Sequence, residues 1–341
     1  MPVDGTHSVI QPRLVSHAAE AAGLDAGRLL EDAGIAAVVL GDVDARVPSG
    51  AVLQLWRSVS QELADPDFGL HLGEQERPGP VGLVAHLFIH SPTLGEAFAT
   101  MCRYVRLMND SATLELTVGA DGSSLTYRVE AAVRPPRQLT DWVFAAMVVA
   151  GRRVTGVNWL PRAVHFEHPQ PGDCTEYRRL FACPLSFGAP TNMLQLGADV
   201  TALESRLADR PLTAVLRRFA DDLVDRLPQR DPFVGQLRRT LADMLPGGEP
   251  GIPAVADRLA VGRRTLQRRL NTLGTSYTQV LAELRSELAE LHLARSEYTI
   301  GEVSLLLGYS DPSVFYRSFR KWNQMTPSQY RRGRSGIQPA E

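Results

Sequence analysis

The chain has 341 residues, 44% of hydrophobic type and 22% charged, which is the balance of a globular protein with room for two domains. The longest apolar runs, such as Val143–Ala150, are too short to cross a bilayer, and the opening MPVDGTHSV places no basic stretch before an apolar core. Neither a membrane span nor a signal peptide is expected, and the cytoplasm is the expected compartment.

Along the first two thirds, the sequence reads as helices around a small sheet. Asp44–Pro48 and Glu76–Pro80 are breaks. Thr93-x-x-Glu96 is a capping box opening a helix with Leu94, Ala97, Phe98, Met101, Tyr104 and Val105 on one face. Two alternating segments, Thr113–Val118 and Ser124–Val129, flank Gly119–Gly122 and predict a β-hairpin. A helix over about Gln138–Thr155 follows, then short strands near Val164–Glu167, Leu185–Phe187 and Met193–Leu196. That order predicts an N-terminal α+β domain, helices with a small antiparallel sheet, rather than a doubly wound fold. The expected boundary is Leu227–Asp231, a polar stretch beside Pro232. Residues 1–231 then form one domain, 232–334 a second and 335–341 a disordered tail.

The charge balance changes at the same place. Residues 1–231 hold 21 Lys+Arg and 28 Asp+Glu, a net of −7, whereas residues 232–341 hold 15 and 10, a net of +5. A net of −2 for the whole chain argues against a polyanion partner, but its distribution points to one for the second part.

That part is predicted to be all-α. Asp231-Pro232 caps and starts a helix, which must end before Pro246-Gly247-Gly248. In Pro253–Leu270, a short helix, a tight turn at Val261–Gly262 and a second helix from Arg263 bury Val255, Leu259, Val261, Leu266 and Leu270 together. The layout then recurs. Thr299-x-x-Glu302 is a capping box, Gly308-Tyr309 the turn, Asp311-Pro312 the next helix start, with Phe315 and Phe319 four residues apart. Leu259-Ala260-Val261 matches Leu307-Gly308-Tyr309, and Leu266/Leu270 match Phe315/Phe319, at offsets of 48 and 49. A repeated helix-turn-helix is much more specific than one copy. Between the copies, Tyr277–Arg295, capped by Ser276, has helical apolar spacing. Its 19 or so residues make a rod of about 28 Å, against about 34 Å for one turn of DNA, so it can set two recognition helices in successive major grooves.

The exposed face of the first recognition helix is expected to carry Arg263, Arg264, Gln267, Arg268 and Arg269, and that of the second Ser313, Tyr316, Arg317, Arg320 and Lys321. Arg suits a bidentate contact to guanine and Gln one to adenine, while the remaining cations suit phosphates. Double-stranded DNA is the expected partner.

RRTLQRRL, LLLGYSDPSVFYRSFRKW and MTPSQYRR, within Ile252–Arg332, resemble the DNA-binding domain of AraC/XylS-type regulators. The resemblance implies base contacts from Arg264, Gln267 and Arg268 in the first unit and from Ser313, Tyr316 and Arg317 in the second. Three positions depart from the family pattern: Gly262 replaces a capping Ser, Ser304 an Ala and Gln324 a Gly. DPDFGLHLG (Asp65–Gly73), SPTLGEAF with RYVRLMND, and FACPLSFGAPTNMLQL (Phe181–Leu196) are similar to the long N-terminal domain of the ornithine- and virulence-regulator subgroup (the OruR and VirS types), not to the arabinose-binding β-barrel of AraC itself. An effector-sensing domain, often also an oligomerisation platform, is implied.

Other chemistries find little support. Cys102, Cys174 and Cys183 form no CxxC pair, and His165–Cys174 matches no ligand spacing, so no metal site and no Ada-type repair chemistry is expected. GxSxG, P-loop and GxGxxG motifs are missing, which leaves no catalytic residues to name and no cofactor to expect. His86, Tyr104 and Trp142, large or polar residues on apolar helices, are the candidate effector contacts. The chain therefore reads as a DNA-binding regulator, an effector-responsive activator meeting RNA polymerase, with a homodimer as one assembly open to it. The alternatives are a repressor, an architectural DNA binder without an effector, and an enzyme merely targeted by its DNA-binding domain.

Overall fold

The structure, a computed structural model, describes residues 5–75, 82–119, 121–130, 135–227, 232–293 and 298–334. They fall into two compact units, one drawn from residues 5–129 and 135–227, the other centred on 232–334. The expected loop 76–80, the cap Asp231, the end of the linking helix beyond Leu293 and the tail 335–341 lie outside the described residues.

The N-terminal unit opens with β1 (Thr6–Ser8), α1 (Ile10–Ala21), α2 (Ala26–Asp32), β2 (Arg46–Pro48) and α3 (Ser49–Glu62). β1 and β2 pair antiparallel, Thr6 opposite Pro48. Where the sequence showed only a break, the Arg46 guanidinium donates to the Thr6 and Leu107 carbonyls, each at 2.8 Å. Three-residue strands are too short for any period to register.

Helices α4 (Phe68–Gln75), α5 (Gly82–Ile89) and α6 (Leu94–Met108) come next. The hairpin strands β3 (Ala112–Gly119) and β4 (Gly122–Val129) then lead to α7 (Arg137–Thr155), β5 (Ala163–Phe166), α8 (Thr175–Phe181), β6 (Leu185–Phe187), β7 (Asn192–Gly197), α9 (Ala198–Thr201) and α10 (Arg210–Arg226). The five-stranded sheet runs β3-β4-β7-β5-β6 and is antiparallel apart from the β5–β6 pair. α4 crosses α7 closely: a Cβ on Gly69 would meet the Gln138 carbonyl oxygen at 2.1 Å, and one on Gly73 would meet Ala145 Cβ at 2.6 Å. The capping box at Thr93 is half formed. Thr93 accepts from the Glu96 amide at 3.2 Å, while the Glu96 carboxylate lies 4.0 Å from Arg217.

A buried polar cluster ties α7 to α8 and the following strands. The fully buried Asp141 accepts from the Tyr177 hydroxyl at 2.7 Å and from Arg137 at 3.1 Å, and faces His168 Nε2 at 3.2 Å. These groups satisfy one another around the carboxylate, the arrangement of a structural knot rather than of a site awaiting substrate.

The C-terminal unit is helical: α11 (Pro232–Met244), α12 (Ile252–Arg258), α13 (Arg263–Thr272), α14 (Tyr277–Leu293), α15 (Ile300–Leu306), α16 (Pro312–Asn323) and α17 (Pro327–Arg334). One core serves all of it. Leu237 and Leu241 of α11, Leu266 and Leu270 of α13, Leu284 and Leu288 of α14, and Phe315 and Phe319 of α16 belong to a single buried cluster. The two halves are thus lobes of one packed body, which close packing makes stiff.

Candidate nucleic-acid interface

The repeat seen in the sequence is also one of hydrogen bonds. In the first unit the Leu259, Ala260 and Val261 amides donate to the Val255, Asp257 and Ala256 carbonyls at 3.0 Å each. In the second, Leu307, Gly308 and Tyr309 donate to Val303, Leu305 and Ser304 at 3.1, 2.9 and 3.1 Å. Both turns pass through a left-handed residue, Ala260 at φ 52° and Gly308 at φ 74°.

Leu266 and Leu270 anchor α13 in the core, as Phe315 and Phe319 anchor α16. Helical periodicity turns the intervening residues outward. Arg263, Arg264, Gln267 and Arg268 are exposed on α13, and Ser313, Arg317, Arg320 and Lys321 on α16. Tyr316 is half-buried, its hydroxyl 3.2 Å from Ser328 Oγ. Arg269 sits with its guanidinium 4.5 Å from the Phe233 ring centre, a packing contact within the unit.

The helices that carry and flank these faces are capped differently. α16 begins at Asp311, whose carboxylate accepts from the Ser313 amide at 2.8 Å and is held below its usual range by that bond. α15 has a complete capping box: the Thr299 amide donates to Glu302 at 2.7 Å and the Glu302 amide to Thr299 Oγ1 at 3.2 Å, bonds that keep Glu302 ionised to lower pH. α13 begins at Gly262 with no side-chain cap. α14 is capped by Ser276, accepting from Gln279 at 3.2 Å. Its 17 described residues, Tyr277–Leu293, span about 26 Å.

Arg285, which the sequence reading passed over, does the joining. It is only 7% exposed, donates from Nε to the Leu307 carbonyl at 2.9 Å, reaches Glu249 at 3.4 Å and lies 4.3 Å from the Tyr309 ring centre. A buried cation on the linking helix thus caps the turn of the second unit. Nearby, the Tyr277 hydroxyl donates to the Pro250 carbonyl, and a Cβ on Gly308 would meet the Gly248 oxygen at 2.8 Å. The loop 245–250, linker and second turn are packed into one joint. The signal was present: Arg285 lies four residues after Leu281 and three before Leu288, on the apolar stripe itself.

The three candidate effector residues do not share one place. Trp142 is buried and lines an apolar cavity of the N-terminal unit. Tyr104 is buried outside that lining, its hydroxyl donating to Asp221 at 2.7 Å. His86 is exposed and stacks on His90, ring centres 6.3 Å apart. No group of three or more His, Cys, Asp or Glu with metal-holding geometry occurs among the described residues, and no helix among them is long and apolar enough to cross a membrane.

A paired helix-turn-helix body with two outward basic helices defines a DNA-binding transcription regulator. Residues 255–333 match a helix-turn-helix domain family, and residues 23–205 match the family described as the arabinose-binding domain of AraC transcription regulators, N-terminal. The chain belongs to the AraC-type transcription regulators. It is similar to the Ornithine utilization regulator of Pseudomonas aeruginosa, 28% identical with 91% of each chain covered. The transcriptional regulator VqsM of the same species is 31% identical, with 86% of this chain and 94% of VqsM covered. The crystal structure of transcriptional regulator CdpR from Pseudomonas aeruginosa aligns over 95% of this chain and 98% of that one at 21% identity and a TM-score of 0.47. The relatives named here are regulators, not enzymes.

Proposed function

We propose that the chain is an effector-responsive activator that works in the cytoplasm and reads a bipartite DNA site through both helix-turn-helix units at once. The observation that carries this reading is the single core and the Arg285 joint, which leave the exposed faces of α13 and α16 on one stiff body. Arg264, Gln267 and Arg268 read base edges in one half-site, and Ser313, Tyr316 and Arg317 in the other, while Arg263, Arg320 and Lys321 hold phosphates. Residues 1–231 sense a small molecule and residues 232–334 bind DNA. An activator also meets RNA polymerase. A second copy of the chain is a further partner, supported by Leu212, Val215 and Phe219, which form an exposed apolar stripe along α10.

Arginine replacements test the division of labour. Arg264→Ala and Arg317→Ala each weaken the specific site by about 1–3 kcal/mol and relax one base preference. Arg320→Ala weakens all sequences alike and lowers the salt slope by about one unit. An unchanged base preference in Arg317→Ala contradicts the second helix as a reader.

A further inference from the structure

Four large hydrophobic side chains of the C-terminal unit are exposed among the described residues: Leu273, Leu305, Val314 and Met325. Three lie off the recognition helices. Leu273 follows the end of α13, Leu305 sits on α15 and Met325 comes after α16. Val314, 37% exposed, is the third residue of α16 itself.

No packing role among the described residues accounts for it. Val314 belongs neither to the buried core cluster nor to the half-buried side chains packed against that cluster. Valine is also a poorer helix former than alanine, because its branched Cβ loses rotamer freedom against the preceding turn. A scattered exposed valine is ordinary on a protein surface. This one has a particular place. At about 100° per residue, Val314 lies about 60° around the helix axis from Arg317 and about 20° from Lys321, on the flank of the outward cationic face. Phe315 and Phe319, which seat the helix in the core, lie about 100° and 140° away from it.

The start of α16 holds this side chain in position. The Asp311 carboxylate accepts from the Ser313 amide at 2.8 Å, and the Asp311 carbonyl accepts from the Val314 amide at 3.0 Å. The branched Cβ then leaves one strongly preferred χ1. The first residues of a recognition helix are those that meet base edges in the major groove. A valine side chain there can neither donate nor accept a hydrogen bond. The feature of a base edge that it can recognise is the C5 methyl group, which thymine alone presents among the four bases. The first unit has a β-branched residue at the same register, since Thr265 precedes Leu266 as Val314 precedes Phe315. Thr265 is half-buried with Oγ1 on the Gly262 side, so Val314 is the one that stands clear.

We infer that Val314 is a specificity-determining residue that contacts the C5 methyl of a thymine in the second half-site, within about two base pairs of the base read by Arg317. Side chains three apart on a helix have Cβ atoms about 5–6 Å apart, and bases rise about 3.4 Å per step, which sets that separation. The inference rests on the reading of α16 as a helix that meets bases, and it names a further base that this helix demands.

The test begins with the full chain selecting its site from random duplexes. Each thymine of the selected site is then replaced singly by deoxyuridine, which removes the methyl group and keeps every hydrogen-bonding group of the base. Loss of one particular methyl in the half-site of the second unit weakens binding roughly fourfold, the worth of one buried group of that size. Val314→Ala binds the thymine and deoxyuridine duplexes equally at that position, whereas Thr265→Ala keeps the fourfold difference. An effect of the methyl on the shape of the duplex would persist in Val314→Ala. A flat methyl scan across that half-site, or a methyl effect that Val314→Ala leaves in place, overturns the inference. If Arg317→Ala still relaxes a base preference in either case, α16 remains a reader and the Val314 assignment alone falls. A flat scan together with an unchanged preference in Arg317→Ala overturns both.

Discussion

The two helix-turn-helix units superpose in sequence to within one residue, yet they stabilise the same turn by opposite choices. The second unit places Gly308 in the left-handed position and caps its recognition helix with Asp311. The first forces Ala260 into that position and starts its recognition helix at the uncapped Gly262. At the small-residue position beneath the turn the advantage reverses: the first unit buries Ala256, the second buries Ser304, whose hydroxyl has no partner among the described residues. Their outward faces differ as well. The first is all exposed Arg and Gln, while the second includes the half-buried Tyr316, whose hydroxyl lies 3.2 Å from Ser328 Oγ. The shared backbone pattern fixes where the helices go, and local chemistry decides how firmly each is held.

The turn glycine should separate the units most. Gly308→Ala adds a Cβ at positive φ against the Gly248 and Leu245 backbone, so a loss of about 2–4 kcal/mol is expected in denaturant unfolding. Ala260→Gly, at the matching place, should instead gain about 1 kcal/mol by relieving the left-handed alanine. Equal destabilisation by both would show that the two turns are not equivalent. Ser304→Ala makes the second unit resemble the first and should stabilise it by about 1 kcal/mol, because it removes a buried, unpaired hydroxyl. No change in the unfolding midpoint would mean that Ser304 is satisfied in solution. The smallest effect is expected from Gly262→Ser, which lends the first unit the kind of cap the second has. It should gain a few tenths of a kcal/mol, up to about 0.5, since a Cβ there meets only Thr265 Oγ1 at 3.7 Å.

What the sequence disclosed follows from which features are local. The capping box at Thr299, the cap at Asp311 and the start of α13 at Arg263 depend on residues two to four apart, and all are visible by eye. The hairpin strands β3 and β4 came within a residue or two because their alternation spans eight residues each. The β1–β2 pair was invisible, since three residues carry no period and its anchor Arg46 acts across 40 residues of chain. Thr93 and Glu96 have capping-box spacing, but only the Thr93 half of the box is made, and the Glu96 carboxylate lies 4.0 Å from Arg217 of α10, a neighbour no local rule registers. The same limit applies to the site. Its exposed arginines were legible from helical spacing, whereas the role of Arg285 required knowing that Leu307 and Glu249 converge on it. In the N-terminal unit Trp142, Tyr104 and His86 looked alike as large residues on apolar helices. Only the fold separates the cavity wall from a satisfied hydroxyl and a surface ring.

The central claim, that one stiff body reads two half-sites, is tested by changing their separation. The claim requires half-sites about one helical turn, or 10–10.5 bp, apart on one face of the duplex. Five added base pairs turn one half-site away, and twisting or bending the duplex to recover it costs several kcal/mol, on the order of 1–6. Ten added base pairs restore the face but not the distance that α14 and the Arg285 joint impose. A fluorescence titration on the three spacings should therefore give tight specific binding at the native spacing only, with steep losses at both insertions. Equal affinity at all three would contradict the account and leave a single helix-turn-helix unit doing all the reading.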